Sequence, residues 1–182
     1  SLAIGNPEPA PVITIPTQTG NNTADWQKVN VGGCCSSKMM KTDGSIWAMG
    51  SANSGNLGTG SLNDINTPTR IGSDNDWHDI TTSFLTCSLK NNGTLWTWGN
   101  NYFGQLGDGT NSDSSIPIQV TNSLLWRKVI AAYYHTVGLT NDGSIYSWGS
   151  NTYGQLGDGS FENRNTPTLV GISCTLGTTG FN

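Results

Sequence analysis

A chain of 182 residues with 11% charged side chains and a net charge of −4 is too poor in charge for a disordered segment, and it lacks the basic excess of a phosphate-binding face. Its 7 Trp, 5 Tyr and 4 Phe can supply a core, and no apolar run reaches the ~18 residues of a membrane-spanning helix. The 24 Gly, with abundant Asn, Thr and Ser, predict tight turns between short strands, and sparse Ala and Leu argue against helix.

Residues 1–15 read as a Pro-rich lead-in or the end of a preceding segment. They have no basic start and no apolar stretch, so no signal peptide is recognisable. The lack of a starting Met suggests a piece of a longer protein. From 16 to 170 the chain repeats with a period of about 50, in units of about 16–67, 68–116 and 117–170.

Each unit carries the same markers in order. A lone tryptophan (Trp26, Trp77, Trp126) opens a first strand: "WQKVNV", "WHDITT", "WRKVIA". A second follows: "SSKMMK", "LTCSLK", "HTVGLT", with Met40, Leu89 and Leu139 in equivalent places. Then comes Asp43-Gly44, Asn92-Gly93 or Asp142-Gly143, which predicts a two-residue hairpin turn with positive φ at both centres. The third strand is "SIWAMG", "TLWTWG" or "SIYSWG". Its alternation puts Trp47/Met49, Trp96/Trp98 and Tyr146/Trp148 on one face and Ile46, Leu95 and Ile145 on the other. A glycine-rich phrase follows: "GNLGTG", "GQLGDG", "GQLGDG". Pro68, Pro117 or Pro167, with Pro16 as a forerunner, then precedes a short fourth strand: "TRI", "IQV", "TLV".

The glycine phrase invites an anion-cradle reading. A ligand loop needs writing once, however, and three copies at a fixed interval mark a structural corner between strands. The motif residues singled out are Gly104, Gln105, Leu106, Gly107, Gly154, Gln155, Leu156 and Gly157, with Trp77, Trp98, Trp126 and Trp148 as core. No catalytic, cofactor or metal residue is assigned. His78 and His135 are the only histidines, and Cys34, Cys35, Cys87 and Cys174 form no C-x-x-C, so zinc is not expected. The pairing of these cysteines stays open. Asp108 and Asp158 recur in equivalent corners, where paired-carboxylate catalysis is not normally built.

"HTVGLTNDGSIYSWGSNTYGQLGDG", His135 to Gly159, resembles the regulator of chromosome condensation repeat, roughly H-T-x-A-L-x-x-D-G-x-V-Y-x-W-G-x-N-x-x-G-Q-L-G-x-G. The resemblance covers about residues 16–170. It is closest in the third unit and most worn in the first, at "SSKMMK" and "GNLGTG". It implies an all-β fold, a partial β-propeller of three four-stranded antiparallel blades. The family commonly closes seven blades, so the remaining blades would come from the same longer chain, a self-copy or another chain. The tail 171–182, "GISCTLGTTGFN", resembles the linker before a type IX secretion sorting domain of Bacteroidetes proteins.

The expected function is a non-enzymatic secreted or cell-surface interaction module. It would bind a protein or glycan and possess secretion-system contacts, with no nucleic acid, no cofactor and no membrane-spanning segment. The alternative is a nucleotide-exchange or regulatory scaffold like the family namesake, but the 8 basic residues are scattered and form no basic arm. A photoreceptor of the plant UV-B type, also of this family, uses clustered tryptophans. Its G-W-R-H-T motif is replaced here by "AYYHT", and these tryptophans sit at repeat positions.

Overall fold

The computed structural model describes residues 25–33, 35–121 and 123–170. The lead-in, Pro16, the tail 171–182, Cys34 and Cys174 lie outside the described residues. The fold is all-β. β1 (Trp26–Gly32), β2 (Ser36–Lys41), β3 (Ile46–Gly50) and β4 (Ile65–Arg70) make one antiparallel sheet in sequence order. β5 (Trp77–Thr82), β6 (Leu85–Lys90), β7 (Leu95–Gly99) and β8 (Ser114–Gln119) make the second. β9 (Trp126–Ala131), β10 (His135–Thr140), β11 (Ile145–Gly149) and β12 (Arg164–Leu169) make the third. The only helical segment among the described residues is one 3-10 turn, Asn53–Gly55.

Two local expectations are corrected. The Asp-Gly and Asn-Gly turns are three-residue loops, with positive φ at the glycine alone: Gly44 (78°), Gly93 (81°) and Gly143 (89°). The amide of Gly44 donates to Lys41 O at 3.0 Å, and Lys41 N to Ser45 O at 3.0 Å, so a turn closes on a left-handed glycine. Asp43 Oδ1 accepts from the amide and hydroxyl of Ser45 at 2.9 and 2.6 Å, and Asn92 does the same for Thr94. That side-chain lock explains why Asp or Asn is followed by Gly and then Ser or Thr.

The fourth strands also begin before the proline. Pro68, Pro117 and Pro167 lie inside β4, β8 and β12, at a register break where Gly50 faces Ile65 and Ala48 faces Thr69. The other two sheets repeat this break. Each such strand is the edge of its sheet, where a residue without N–H costs no ladder bond.

The core lies between sheets. One cluster joins Met40, Ile46, Ala48 and Leu57 of the first sheet to Trp77, Ile80 and Trp98 of the second. The next joins Leu85, Leu89, Leu95 and Leu106 to Trp126, Val129 and Trp148. Both faces of the middle sheet are thus buried, as in the blades of a propeller. β1 packs on β5, and β5 on β9.

Candidate functional site: an aromatic loop face

The β1–β2, β5–β6 and β9–β10 turns and the long β3–β4, β7–β8 and β11–β12 connections emerge at one end of the sheets. The Asp-Gly and Asn-Gly turns emerge at the other. The tight turns before β6 and β10 carry Phe84, Tyr133 and Tyr134, whose rings lie over the loop face. Phe84 meets Tyr133 edge-on, with centroids 4.4 Å apart. It lies nearly parallel to Tyr134 at 5.8 Å and 14°. Tyr134 meets Phe103 of the second corner at 5.2 Å, and Phe103 meets Tyr102 at 4.8 Å. Tyr133 also leans over the first blade's turn, where a Cβ on Gly33 would come within 3.2 Å of its ring.

Five rings from the second and third blades therefore form one surface that reaches over the turn of the first. Tyr102, Tyr133 and Tyr134 are 72%, 52% and 43% exposed. Edge-to-face pairs of this kind hold one another in place, each by about 0.5–1.5 kcal/mol beyond burial. A rigid, uncharged aromatic surface presents large contact area with little entropy to lose on binding.

The motif residues expected from the sequence are not at this surface. They join blades. Gln105 O accepts from Trp148 Nε1 at 2.9 Å and from Thr136 Oγ1 at 2.8 Å. Asn56 O accepts in the same way from Trp98 Nε1 at 3.0 Å and Thr86 Oγ1 at 3.2 Å. Gly104 (φ 81°) and Gly107 (φ 77°) have positive φ, and a Cβ on them would sit 2.6 Å from Asn165 Cα and 2.5 Å from Trp148 Nε1. Gly154 and Gly157 share the sign of φ, and Leu106 and Leu156 are buried beneath their corners. Trp77 and Trp126 are buried edge-on to Trp96 and Tyr146.

The corner is also a poor anion cradle. The amides of Asn101, Phe103, Gly104, Leu106, Gly107, Gly109 and Thr110 all donate to protein acceptors. Asn101 organises this loop: its Oδ1 accepts from Leu106 N at 2.9 Å, and its Nδ2 reaches Asp108 Oδ1 and the carbonyls of Thr110 and Ser112. Asn151 repeats the role, whereas the first blade has Ala52 there. Asp64, Asp113 and Asn163 each accept the amide twelve residues earlier. Sequence reasoning missed these caps, although their fixed offset was visible.

The remaining candidates are placed as follows. His78 is exposed beside the Asp-Gly turns, and its carbonyl accepts from Lys28 at 2.8 Å. His135 is half-buried at the start of β10, and burial pushes its pKa down. Asp158 accepts from Ser160 and from Arg164 Nε at 2.8 Å, which holds its carboxyl well below the usual range. Cys35 and Cys87 are free, and burial pushes the Cys87 thiol up to about 12. Among the described residues, no three His, Cys, Asp or Glu side chains gather as metal ligands, and no helix is long and apolar enough to cross a membrane.

Solved structures share this architecture. Prp20p of Saccharomyces cerevisiae, studied for binding to Gsp1p and histones, superposes with a TM-score of 0.74 at 18% identity, over 83% of this chain and 39% of that one. The yeast protein bound by Kap60 gives 0.73 at 19% identity, over 83% and 38%. Human WBSCR16 gives 0.55 at 20% identity, over 81% and 53%. The chain thus spans about two fifths to one half of the length of these proteins. At such identity the likeness concerns the fold. No curated protein sequence matches. The model of the regulator of chromosome condensation (RCC1) repeat matches residues 43–82, 92–139 and 142–175, three copies that each begin at the Asp or Asn of an Asp-Gly or Asn-Gly turn, and the chain belongs to this family.

Proposed function

We propose that this chain is a non-enzymatic interaction module whose loop face binds a protein ligand through the ring cluster of Phe84, Phe103, Tyr102, Tyr133 and Tyr134. The observation that carries the reading is the contiguity of those five rings across blades, with three tyrosines left exposed. Large exposed aromatic patches are uncommon on surfaces with nothing to bind. A glycan stacking on the same rings is an outcome the test distinguishes.

Binding of nucleic acid is not favoured. Acidic side chains number 12 against 8 basic, and Lys28, Lys41 and Lys90 already pair with Asp79, Asp25 and Asp74. We further propose that the module belongs to a longer exported protein, secreted or held at the cell surface, on the strength of its Asn/Thr/Ser-rich composition and its linker-like tail. Fractionation of cells making the native protein tests this second part, and recovery of the protein inside the cell sinks it.

The binding reading is tested by selecting a random-peptide library on the folded chain, with a glycan array as the parallel arm. Selected peptides should lose at least tenfold in affinity on Tyr133→Ala/Tyr134→Ala and be unaffected by His78→Ala at the opposite end. Peptides indifferent to the double substitution would remove the protein-ligand reading, and signals confined to the array would replace it with a glycan.

A further inference from the structure

The charges of this molecule are sorted by end. The six connections at the loop end carry Asp64, Asp108, Asp113, Asp158 and Glu162, and none of them contains a lysine or an arginine. The one base beside them, Arg164 at the start of β12, is held by Asp158 at 2.8 Å. The other ion pairs lie toward the opposite end, where Lys41, Arg70 and Lys90 close β2, β4 and β6, and Arg127 and Lys128 open β9. Lys38 is buried. Beyond the described residues the sequence adds a single charged side chain, Glu8, so none of these 182 residues supplies a further base to neutralise the loop end.

These carboxylates belong to the same loops as the rings. Asp113 Oδ1 accepts from the amide of Asn101 at 2.7 Å, one residue before Tyr102, and Asn101 Nδ2 reaches Asp108 Oδ1 at 3.2 Å. Two carboxylates are thereby tied to the corner that presents the exposed Tyr102. Asp64 makes the equivalent cap in the first corner, at 3.0 Å from Ala52 N.

The opposite end shows what such a combination holds. There Lys41 Nζ lies 4.9 and 5.0 Å from the ring centroids of Trp26 and Trp47, and 3.0 Å from Asp25 Oδ2. Lys90 Nζ lies 4.9 Å from both Trp77 and Trp96, beside Asp74 and Asp76. An ammonium set between ring faces and a carboxylate is attracted by both. The loop end has the rings and the carboxylates and no ammonium of its own.

We propose that the loop face takes a lysine- or arginine-bearing segment of a partner protein, its cations lying over the exposed tyrosines and against Asp64, Asp108 and Asp113. Resting on the reading of the rings as a protein-binding surface, this assignment gives the ligand its charge. A basic segment is steered in by the unneutralised carboxylates and held by the rings, and an acidic one is repelled.

The caps allow the charge to be removed without the geometry. Asn163 makes in the third corner, at 2.8 Å, the cap that Asp64 and Asp113 make in the first and second, so Asp64→Asn/Asp113→Asn keeps both caps. Asn92 locks its turn as Asp142 does, which makes Asp142→Asn a matched control at the opposite end. A labelled peptide of alternating arginine and serine is titrated with the full chain and followed by fluorescence anisotropy. Its affinity at low ionic strength should fall about tenfold in Asp64→Asn/Asp113→Asn and about tenfold in Tyr133→Ala/Tyr134→Ala, and stay unchanged in Asp142→Asn. Asn163→Asp should tighten it, and that variant carries the test should the double asparagine variant not fold. Random-library peptides that depend on Tyr133 and Tyr134 should be rich in lysine and arginine. An arginine peptide that binds no better than its glutamate counterpart, or tyrosine-dependent library peptides without a basic excess, would overturn the cationic assignment and leave the rings a protein-binding surface. Library peptides indifferent to Tyr133→Ala/Tyr134→Ala would overturn both.

Discussion

The second and third corners share the phrase "GQLGDG" and nearly the same backbone, yet one is buried and the other is not. Both use their Gln side chain to bind the amide two residues earlier, at 2.8 Å for Phe103 and 2.9 Å for Tyr153. Both use an Asn to hold the Leu amide. The corner's shape is therefore local, set by its own glycines and amide caps. Its burial belongs to the next blade. At Gly107 the absence of Cβ serves both a left-handed backbone and a close approach, and at Gly157 it serves the backbone alone.

That difference is measurable. An alanine at Gly157 pays a left-handed penalty of about 1–2 kcal/mol. An alanine at Gly107 adds overpacking against the Trp148 indole, about 1–3 kcal/mol more. Gly107→Ala should thus lower stability by about 4 kcal/mol and Gly157→Ala by less than half of that, read from denaturant melts of the two variants. Equal losses would mean that the next blade does not press on the second corner.

The first corner departs in another way. Asn56 stands where the others have Gln, and beneath it Lys38 is fully buried where Cys87 and Val137 stand in the other blades. The Lys38 ammonium donates to Ser36 Oγ at 2.9 Å, the same hydroxyl that Asn56 Nδ2 approaches at 3.4 Å, and among the described residues no carboxylate pairs with it. Burial lowers its pKa from 10.5 to about 8. Between those values the unfolded chain binds more protons than the folded one, so stability rises with pH across that window, by about 3 kcal/mol. Below pH 8 both states are charged and the penalty is constant. Lys38→Met should flatten the rise and stabilise the protein at neutral pH. A rise of the same size in Lys38→Met would place the titrating group elsewhere.

The strands were legible because their period-2 alternation and their punctuation repeat three times. The first and second strands of every blade run where the lone tryptophans and the "MMK", "SLK" and "GLT" stretches place them. The turn type was not legible, since Asp-Gly is common to two-residue and three-residue hairpins and the Asx bond to Ser45 shows only in space. The start of the fourth strand was hidden by proline, which reads as a breaker until the strand is known to be an edge. The ring cluster was missed for a different reason. Phe84 and Tyr134 share one repeat position, just before β6 and β10, but Cys35 stands there in the first unit and Phe103 lies in a corner, so the repeat alone does not bring the rings together.

The joint itself supplies a smaller effect. Trp148→Phe removes one of two donors to Gln105 O and leaves Thr136 in place, a loss of about 1 kcal/mol for the hydrogen bond. Thr136→Val removes the other. Together they leave a buried carbonyl with neither donor, so the double variant should lose about 1 kcal/mol more than the sum of the singles. Strict additivity would show that the two donors do not share one acceptor in solution.

The last contrast between the corners is ionic. In the third, Arg164 stands opposite Gly149 and donates to Asp158 Oδ2 at 2.8 Å; in the second, Ser114 stands opposite Gly99, so Asp108 has no arginine beside it. Ser160 and then Arg164 hold the Asp158 carboxyl below its ordinary 3.8. A depressed carboxyl stabilises the folded state fully above the unfolded value, and loses that contribution as pH falls below it. Arg164→Ser, which gives the third corner the second's residue, should therefore shrink the stability lost between pH 5 and pH 2.5, and Asp158→Asn should shrink it further. The change is expected to be modest, because Arg164 is partly exposed and salt screens the pair. It should also fade in high salt for the arginine variant, while the part supplied by the Ser160 hydroxyl persists. An acid limb unchanged by Asp158→Asn would show that the third corner gains nothing from its ion pair, leaving burial as the only difference between the two corners.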